Sequence, residues 1–232
     1  APRHQRLLDH LAADFMAHGW SMKRLHRLIV TSAAYRRHSS PSKTAGPLQA
    51  ADLDNRDYWR MNTRRMEGEI LRDSLLLLSG RLDPTVGGRN LSHDLANAAN
   101  PKIGFRRTIY YRYSRPAKVE ILKIFDPASV EECYRRHDTI VPQQALALRN
   151  SRLAVDRSND IADVISRQIG KEQKPTAFVD AAFETVLGRQ PTVAERRQTL
   201  AALKQLTTAA GDTARGHLVH VLVMHNDFIM IR

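Results

Sequence analysis

Residues 192–206 read T-V-A-E-R-R-Q-T-L-A-A-L-K-Q-L, and this stretch indicates the fold most clearly. Thr192 and Glu195 form a T-x-x-E capping box, in which each side chain accepts from the other residue's backbone N–H at the start of a helix. Leu200, Leu203 and Leu206 follow at helical spacing and give the helix an apolar face. The pattern predicts an amphipathic helix.

Helical patterns continue on both sides of this stretch. Gly188 is expected to end the preceding helix, because glycine favours the position after a helix C-terminus. Pro142 suits the first turn of a helix that runs on to Arg149. Near the start of the chain, Gly19 ends one predicted helix and Ser21 is the predicted N-cap of the next.

A long helix is predicted over residues 63–79, with Met66, Ile70 and Leu77 on one side. Gly80 is expected to end it. Residues 107–113, R-T-I-Y-Y-R-Y, are β-branched and aromatic and are the strand candidate.

The predicted fold class is therefore mainly α. We expect a multi-helix bundle with a long irregular segment and at most a small β element near residues 107–113. Residues 1–150 are expected to form a basic part of helices and loops, and residues 151–232 a compact helical tail, within one continuous domain.

The charge is unevenly distributed along the chain. Lys and Arg number 36 against 24 Asp and Glu, which gives a formal net charge of +12. Residues 1–116 hold 20 basic and 10 acidic residues, so +10 of the +12 lies in the first half. This excess indicates a polyanionic partner such as nucleic acid, an anionic polysaccharide or an acidic protein face. A solvated surface beside an acidic neighbour in a longer chain explains it equally well.

Several kinds of site lack their signature in the sequence. The single cysteine, Cys133, excludes an internal disulfide, and no apolar run is long enough to span a membrane. His217 and His220 lie three residues apart, but no HExxH motif and no cysteine pair supports a zinc site. We therefore expect no metal and no catalytic residue in this chain. Because it opens at Ala1 without a signal-peptide pattern, we expect it to be a piece of a larger protein.

The segment from residue 64 to residue 73 is densely charged. On a helix, Glu69 would lie beside both Arg65 and Arg72. The functional interpretation is a polar site in which a carboxyl group acts as acid or base. Neighbouring arginines favour the charged form of a carboxyl group, which cannot act as a general acid, so a structural ion-pair lattice is the favoured interpretation.

Two further patterns concern binding. Arginines alternate with tyrosines over residues 106–115, a strip that could stack on sugars or bases. The favoured alternative places the tyrosines in the core and the arginines in water. The first two helices also fit a helix-turn-helix, but bulky Phe15 stands where that motif needs a small residue, so nucleic acid is the weaker hypothesis.

Several long motifs, in order along almost the whole chain, are similar to one family. They are LLDHLAADFMAHGWSMKRLHRLIVTSAAYR at 7–36, NTRRMEGEILRDSLLLLSGRLD at 62–83, RRTIYY at 106–111, VPQQALALRN at 141–150 and LGRQPT at 187–192. The chain resembles the planctomycete domain of unknown function 1553. One departure is Arg149, which stands where an apolar residue is usual.

The resemblance implies a context rather than an activity. Such domains end large exported proteins, often after a cytochrome c module and a companion domain of unknown function. It therefore implies a periplasmic or cell-surface location, upstream domains of the same parent protein as partners, and haem c held elsewhere, since this chain has no C-x-x-C-H. It also implies that the start of the domain is missing. The polar positions that recur in the family are matched here by Arg64, Arg65, Glu67, Glu69, Arg72, Asp73, Arg106, Arg107 and Arg136.

Three hypotheses follow. The first is a helical module, non-catalytic by itself, that binds a partner domain or an anionic polysaccharide. The second is part of a glycan-acting enzyme whose site is completed by an upstream domain. The third is a nucleic-acid-binding protein, supported by charge alone.

Overall fold

A computed structural model of the chain describes residues 2–39, 46–88, 104–112, 120–125, 142–170 and 174–231. The described residues are mainly helical, which confirms the predicted fold class. In chain order the helices are α1 (Gln5–Ala17), α2 (Met22–Val30), α3 (Gly46–Ala51), α4 (Gly68–Leu78), α5 (Glu120–Ile124), α6 (Pro142–Asn150), α7 (Arg152–Gln168), α8 (Pro175–Leu187), α9 (Val193–Ala210), α10 (Ala214–Val223) and α11 (Asn226–Ile229). Two short strands, β1 (Arg64–Arg65) and β2 (Met230–Ile231), pair with each other, and 3-10 turns occupy Thr108–Tyr110 and Gly211–Thr213.

The chain forms two compact units, one up to Arg64 and one from Arg65 to Ile231. We call them the small unit and the large unit. The sequence predicted a change of character near Asn150, and this point lies inside the large unit, where α6 packs against α7.

The large unit is built around one apolar core. Helices α7, α8, α9 and α10 pack on one another, and α4 joins them through α7. Fully buried side chains come from each part of this bundle: Leu71 and Leu75 on α4, Leu148 on α6, Ile161 and Ile165 on α7, Phe178 and Val179 on α8, and Val219 and Val223 on α10. The large unit therefore has a continuous interior that can hold polar groups in fixed positions.

Local signals at helix ends were predicted correctly. The Ser21 side chain accepts from the backbone of Arg24, and Thr192 and Glu195 form the expected capping box. Gly188 follows α8 with a φ of 67°, and Gly80 follows α4 with a φ of 68°. These positions need a left-handed backbone, which glycine adopts without strain.

The prediction for α4 was wrong in its start, and the apolar side that it named differs from the buried face. The helix begins at Gly68 rather than near residue 63, because Arg64 and Arg65 form strand β1. Leu71 and Leu75 are fully buried, whereas Ile70 is 39% and Leu77 64% exposed. The buried face of α4 is therefore rotated by about one residue position from the side that contains Ile70 and Leu77.

The strand predicted over residues 107–113 is also wrong in its described part, which ends at residue 112. Residues 108–110 form a 3-10 turn, and only an isolated bridge links Arg106 to Asp83. The Asp73 side chain accepts from both the backbone N–H and the hydroxyl of Thr108, which draws the chain into a turn. A tertiary contact here overrides the β propensity of the sequence.

The structure accommodates the charge of Arg149, the position at which the sequence was expected to depart from the family. Leu148 is fully buried, whereas Arg149 is exposed in the last turn of α6. A cation there lies at the negative end of the helix dipole.

Candidate functional site

The predicted polar positions on α4 hold the segment of residues 104–111 in place. Arg72 is 1% exposed, and its guanidinium donates to the backbone carbonyls of Gly104 and Arg106, the latter at 3.0 Å. It also donates to the Thr108 hydroxyl at 3.1 Å and lies over the Tyr111 ring, 4.9 Å from its centre. The guanidinium is thus used for structure.

Asp73 completes this arrangement from the next position of α4. Its carboxylate accepts from the Thr108 N–H at 2.9 Å and from the Thr108 hydroxyl at 2.6 Å. Burial raises the pKa of the nearby Tyr111 hydroxyl, an effect that the positive charge of Arg72 opposes. The phenol therefore stays neutral at physiological pH.

Arg106 organises the turn at Gly87 and Gly88. Its guanidinium stacks on the Tyr110 ring at 4.1 Å and donates to the carbonyls of Thr85, at 3.1 Å, and Gly87. The Tyr110 hydroxyl in turn accepts from the Gly87 N–H at 3.0 Å. The strip of arginines and tyrosines is here partly folded onto the protein's own backbone.

The other predicted positions are distributed around the fold. Arg65 donates to the Gln144 side chain and lies over the Phe125 ring, whereas Arg64 and Arg107 are exposed. Glu67 and Glu69 are half-buried at the start of α4, and both have interaction partners. Arg136 and Cys133 lie outside the described residues. The structure thus brings Arg72 and Asp73 together on the segment of residues 104–111, and it places the Arg106 side chain at the neighbouring turn of Gly87 and Gly88.

The small unit is held together mainly by polar contacts. Among its described residues, only Ser39 and Asn55 are buried. The Asn55 amide donates to the Arg60 carbonyl at 2.8 Å, and the Trp59 indole N–H donates to the Asp52 carbonyl at 2.7 Å. No apolar side chain in the described part of this unit is buried.

Helices α1 and α2 form a hairpin within the small unit. Phe15 packs edge-on against Trp20 at the turn, with ring centres 5.2 Å apart. Arg24 of α2 donates to the Asp14 carboxylate of α1 at 3.0 Å, and this bond lowers the pKa of Asp14. The two helices are therefore linked, although neither buries a residue.

Large apolar side chains cover much of the outside of this hairpin. We call the following set the apolar hairpin surface: Leu7, Leu8, Met16, Trp20, Met22, Leu28, Ile29 and Val30, each 38–65% exposed. Four exposed cations lie in or just after the hairpin and form neither an ion pair nor a side-chain hydrogen bond with any described residue: Arg6, Lys23, Arg27 and Arg36. Large exposed apolar side chains concentrated on one helical hairpin indicate a surface that something covers.

An open groove in the large unit was missed by the sequence analysis. It measures about 1130 Å³ and lies between α7, α9, the turn after α9 and the start of α10. None of the nine predicted polar positions is among the described residues that line it. Its walls come from positions between 159 and 216 on separate helices, so no local motif marks it.

A second polar network links the residue after Gly188 to the first turn of α9 and to α11. Arg189 donates to the Glu195 carboxylate at 2.7 and 2.9 Å and to Asp227 at 2.7 Å. The bond from Arg189, more than any other contact, lowers the pKa of Glu195 to about 2, and the same contacts raise the pKa of Arg189. This network reinforces the capping box of α9.

Comparison with known proteins gives a family. The model of PSD1, a protein of unknown function (DUF1553), matches residues 1–203. The chain belongs to the DUF1553 family. No curated protein and no solved structure matches it.

The family match confirms the resemblance found in the sequence. The matched residues of this DUF1553 chain include the apolar hairpin surface and the α4 positions that hold residues 104–111. The match ends within α9, so the part of the groove formed by residues 204–216 lies beyond it.

Two features are absent from the described residues, a metal site and a membrane-spanning helix. No described group of three or more His, Cys, Asp and Glu side chains in this DUF1553 chain could hold a metal ion. His220 instead bonds to the Leu148 carbonyl, at 3.1 Å, and His225 caps α11. Among the described helices, none is both long and apolar enough to cross a membrane.

Proposed function

We propose that this DUF1553 chain is a binding module, non-catalytic by itself, that docks onto an upstream domain of its parent protein through the apolar hairpin surface. The observation that carries the proposal is the state of the small unit: eight large apolar side chains of the hairpin are exposed, and none is buried in its described part. Covering such side chains contributes about 25 cal/mol for each Å² removed from water.

The charge around the surface specifies the partner further. Residues 2–39 contain seven Lys and Arg against two Asp. Two copies of the hairpin facing each other would bring like charges together, which disfavours self-association. A partner with an apolar patch and an acidic rim fits both features.

The identity of the partner as an upstream domain rests on the resemblance. The resemblance implies that the domain follows other domains in large exported proteins, so we propose that the protein is located in the periplasm or at the cell surface. Any haem c would be held by another domain of the parent.

Calorimetry tests the proposal. It measures the binding of this chain to the upstream part of the parent protein, supplied as a separate polypeptide. We expect Leu28→Asp/Ile29→Asp to weaken binding at least about tenfold, since two anchoring side chains would be lost and two negative charges would face an acidic rim. The matched control is Leu77→Asp/Val221→Asp, which alters two exposed residues of the large unit. Absence of binding, or equal losses in the two variants, would contradict the proposal.

A second candidate function is favoured by the four cations that pair with no described residue. An anionic polysaccharide would accept ion pairs from Lys23 and Arg27 on α2, aided by Arg6 and Arg36. This binding should weaken steeply with salt, as binding between a polyanion and a set of cations does.

Retention on immobilised heparin tests this second function. We expect Lys23→Glu/Arg27→Glu to elute at clearly lower salt than the control Arg149→Glu/Arg197→Glu, which changes the net charge equally on the large unit. Equal elution, or no retention of the natural chain at low salt, would contradict it. If the chain binds duplex DNA as tightly as heparin, the cations recognise negative charge and not the polysaccharide.

A further inference from the structure

The groove of the large unit has an apolar floor and a polar rim. Ala162, Leu203 and Ala214 are buried and form part of its floor. Asn159 and Asp163 on α7, Lys204 on α9 and Asp212 in the turn are exposed at its rim. The groove therefore offers both a surface for C–H groups and several polar atoms above it.

Two glycines shape this groove. Gly211 has a φ of 54° and a ψ of −126°, a conformation that L side chains rarely adopt, and it turns the chain from α9 towards α10. Gly216 allows α10 to approach α7 closely, because a Cβ atom there would lie 1.9 Å from Oδ1 of Asn159. The groove walls are thus fixed by the backbone.

The cation at one wall of the groove is also fixed. Arg215 donates to the Ser166 hydroxyl at 2.9 Å and stacks on the Phe178 ring, 4.7 Å from its centre. Guanidinium groups held in this way keep their N–H directions and lose little entropy when a ligand arrives.

The charges of the described rim residues balance each other. Lys204 and Arg215 supply two positive charges, and Asp163 and Asp212 supply two negative charges. Neither Lys204 nor Asp212 forms an ion pair or a side-chain hydrogen bond with a described residue. A strong anion would meet the two carboxylates and a strong cation would meet the two basic groups, so the arrangement favours a neutral ligand.

We propose that this groove binds a short neutral oligosaccharide. Sugar hydroxyl groups both donate and accept, so they can pair with the carboxylates, the Asn159 amide and the Lys204 ammonium at once. The C–H face of a sugar ring would cover the apolar floor. A volume of about 1130 Å³ exceeds that of a pocket for one small molecule and leaves room for several linked rings. The site is separate from the apolar hairpin surface, so it does not depend on the proposed docking function.

A titration of the full chain with neutral trisaccharides and tetrasaccharides of the malto, cello, manno and xylo series tests the proposal. Amide chemical shifts should report the binding site. We expect one series to bind saturably below about 10 mM, with shift changes in residues 211–216 and none in α1 or α2. Oligogalacturonate and chitosan oligosaccharides, which carry negative and positive charge, should bind less tightly.

Substitutions at the rim provide the second arm. Asp163→Asn and Lys204→Gln should each weaken binding about tenfold, the effect of removing a charged hydrogen-bond partner. The matched controls, Asp156→Asn and Arg197→Gln, lie seven residues earlier on the same helices, outside the groove, and should bind as the natural chain does. The proposal is overturned if no neutral series binds, if a charged oligosaccharide binds more tightly, or if rim and control variants lose affinity equally.

Discussion

The carboxylate of Asp73 on α4 accepts two hydrogen bonds from Thr108, 35 residues away, at 2.9 Å from the backbone N–H and 2.6 Å from the hydroxyl. The neighbouring Arg72 donates to carbonyls on the same segment. Two adjacent side chains of one helix thereby fold a segment that would otherwise favour a strand. Arg72 and Asp73, two of the predicted polar positions, contribute here to structure.

Replacing Arg72 by Met should destabilise the chain by about 2–4 kcal/mol. The substitution keeps an apolar side chain of similar length but leaves the carbonyls of Gly104 and Arg106 without this donor. Urea unfolding followed by circular dichroism measures the loss. Arg107 is exposed in the segment that Arg72 holds, so Arg107→Met serves as the control. It should change the free energy of unfolding by less than about 0.5 kcal/mol. Similar losses in the two variants would show that Arg72 does not hold the segment.

The inward face of α4 can be tested with two leucines. Leu75 is fully buried and Leu77 is 64% exposed. Leu75→Ala should therefore lower the free energy of unfolding by about 2–5 kcal/mol, whereas Leu77→Ala should lower it by less than about 0.5 kcal/mol. Thermal or urea unfolding gives both values. A larger loss for Leu77→Ala than for Leu75→Ala would contradict the buried face described for α4.

Gly216→Ala should destabilise the packing of α7 against α10 by about 1–3 kcal/mol. The new methyl group would overlap Oδ1 of Asn159, at 1.9 Å, and press on its Cγ, at 2.9 Å. The second substitution Asn159→Ala removes both atoms and should recover most of the loss. Gly46→Ala is the control, since a Cβ atom there meets nothing within 4 Å. A stable Gly216→Ala variant would mean that the two helices are less close than described.

Stability should fall in acid partly through Glu195. The Arg189 guanidinium lowers the pKa of this carboxyl from 4.5 to about 2. A group whose pKa is lower in the folded state stabilises the fold above its unfolded pKa. The contribution is therefore complete above about pH 4.5 and is lost as the pH falls towards 2.

Glu195→Gln tests this contribution because glutamine can still serve in the capping box. We expect a loss of about 1 kcal/mol at pH 7, modest because both partners are partly exposed, and a smaller difference from the natural chain at pH 2.5. Urea midpoints across this range measure it. Glu184→Gln on α8, which lies outside the network, should leave the slope between pH 4.5 and 2.5 unchanged. A constant difference at all pH values would assign the effect to capping.

Local signals in the sequence were sufficient to predict several of the helix ends. Ser21, Gly188 and the Thr192–Glu195 pair act within a few residues, so their patterns survive folding. The inward face of α4 was harder to predict because residues 75–78 are all leucine. With four adjacent leucines, several faces of a helix have similar hydrophobicity, and tertiary packing decides between them.

Features made by distant residues could not be predicted. The turn at residues 108–110 depends on Asp73, and the groove depends on residues as far apart in the chain as Asn159 and Gly216. The exposed hairpin is a further case. Its apolar periodicity predicted two helices correctly, but the pattern cannot tell whether the chain itself covers the apolar side.

The most direct test of the docking proposal is amide hydrogen exchange on the full parent protein. Exchange in residues 5–30 should be compared between the parent and this chain alone, with α9 as the internal reference. We predict that the parent slows exchange in α1 and α2 at least about tenfold while α9 exchanges equally in both. Equal exchange of α1 and α2 in the two proteins would contradict the claim that an upstream domain covers the apolar hairpin surface.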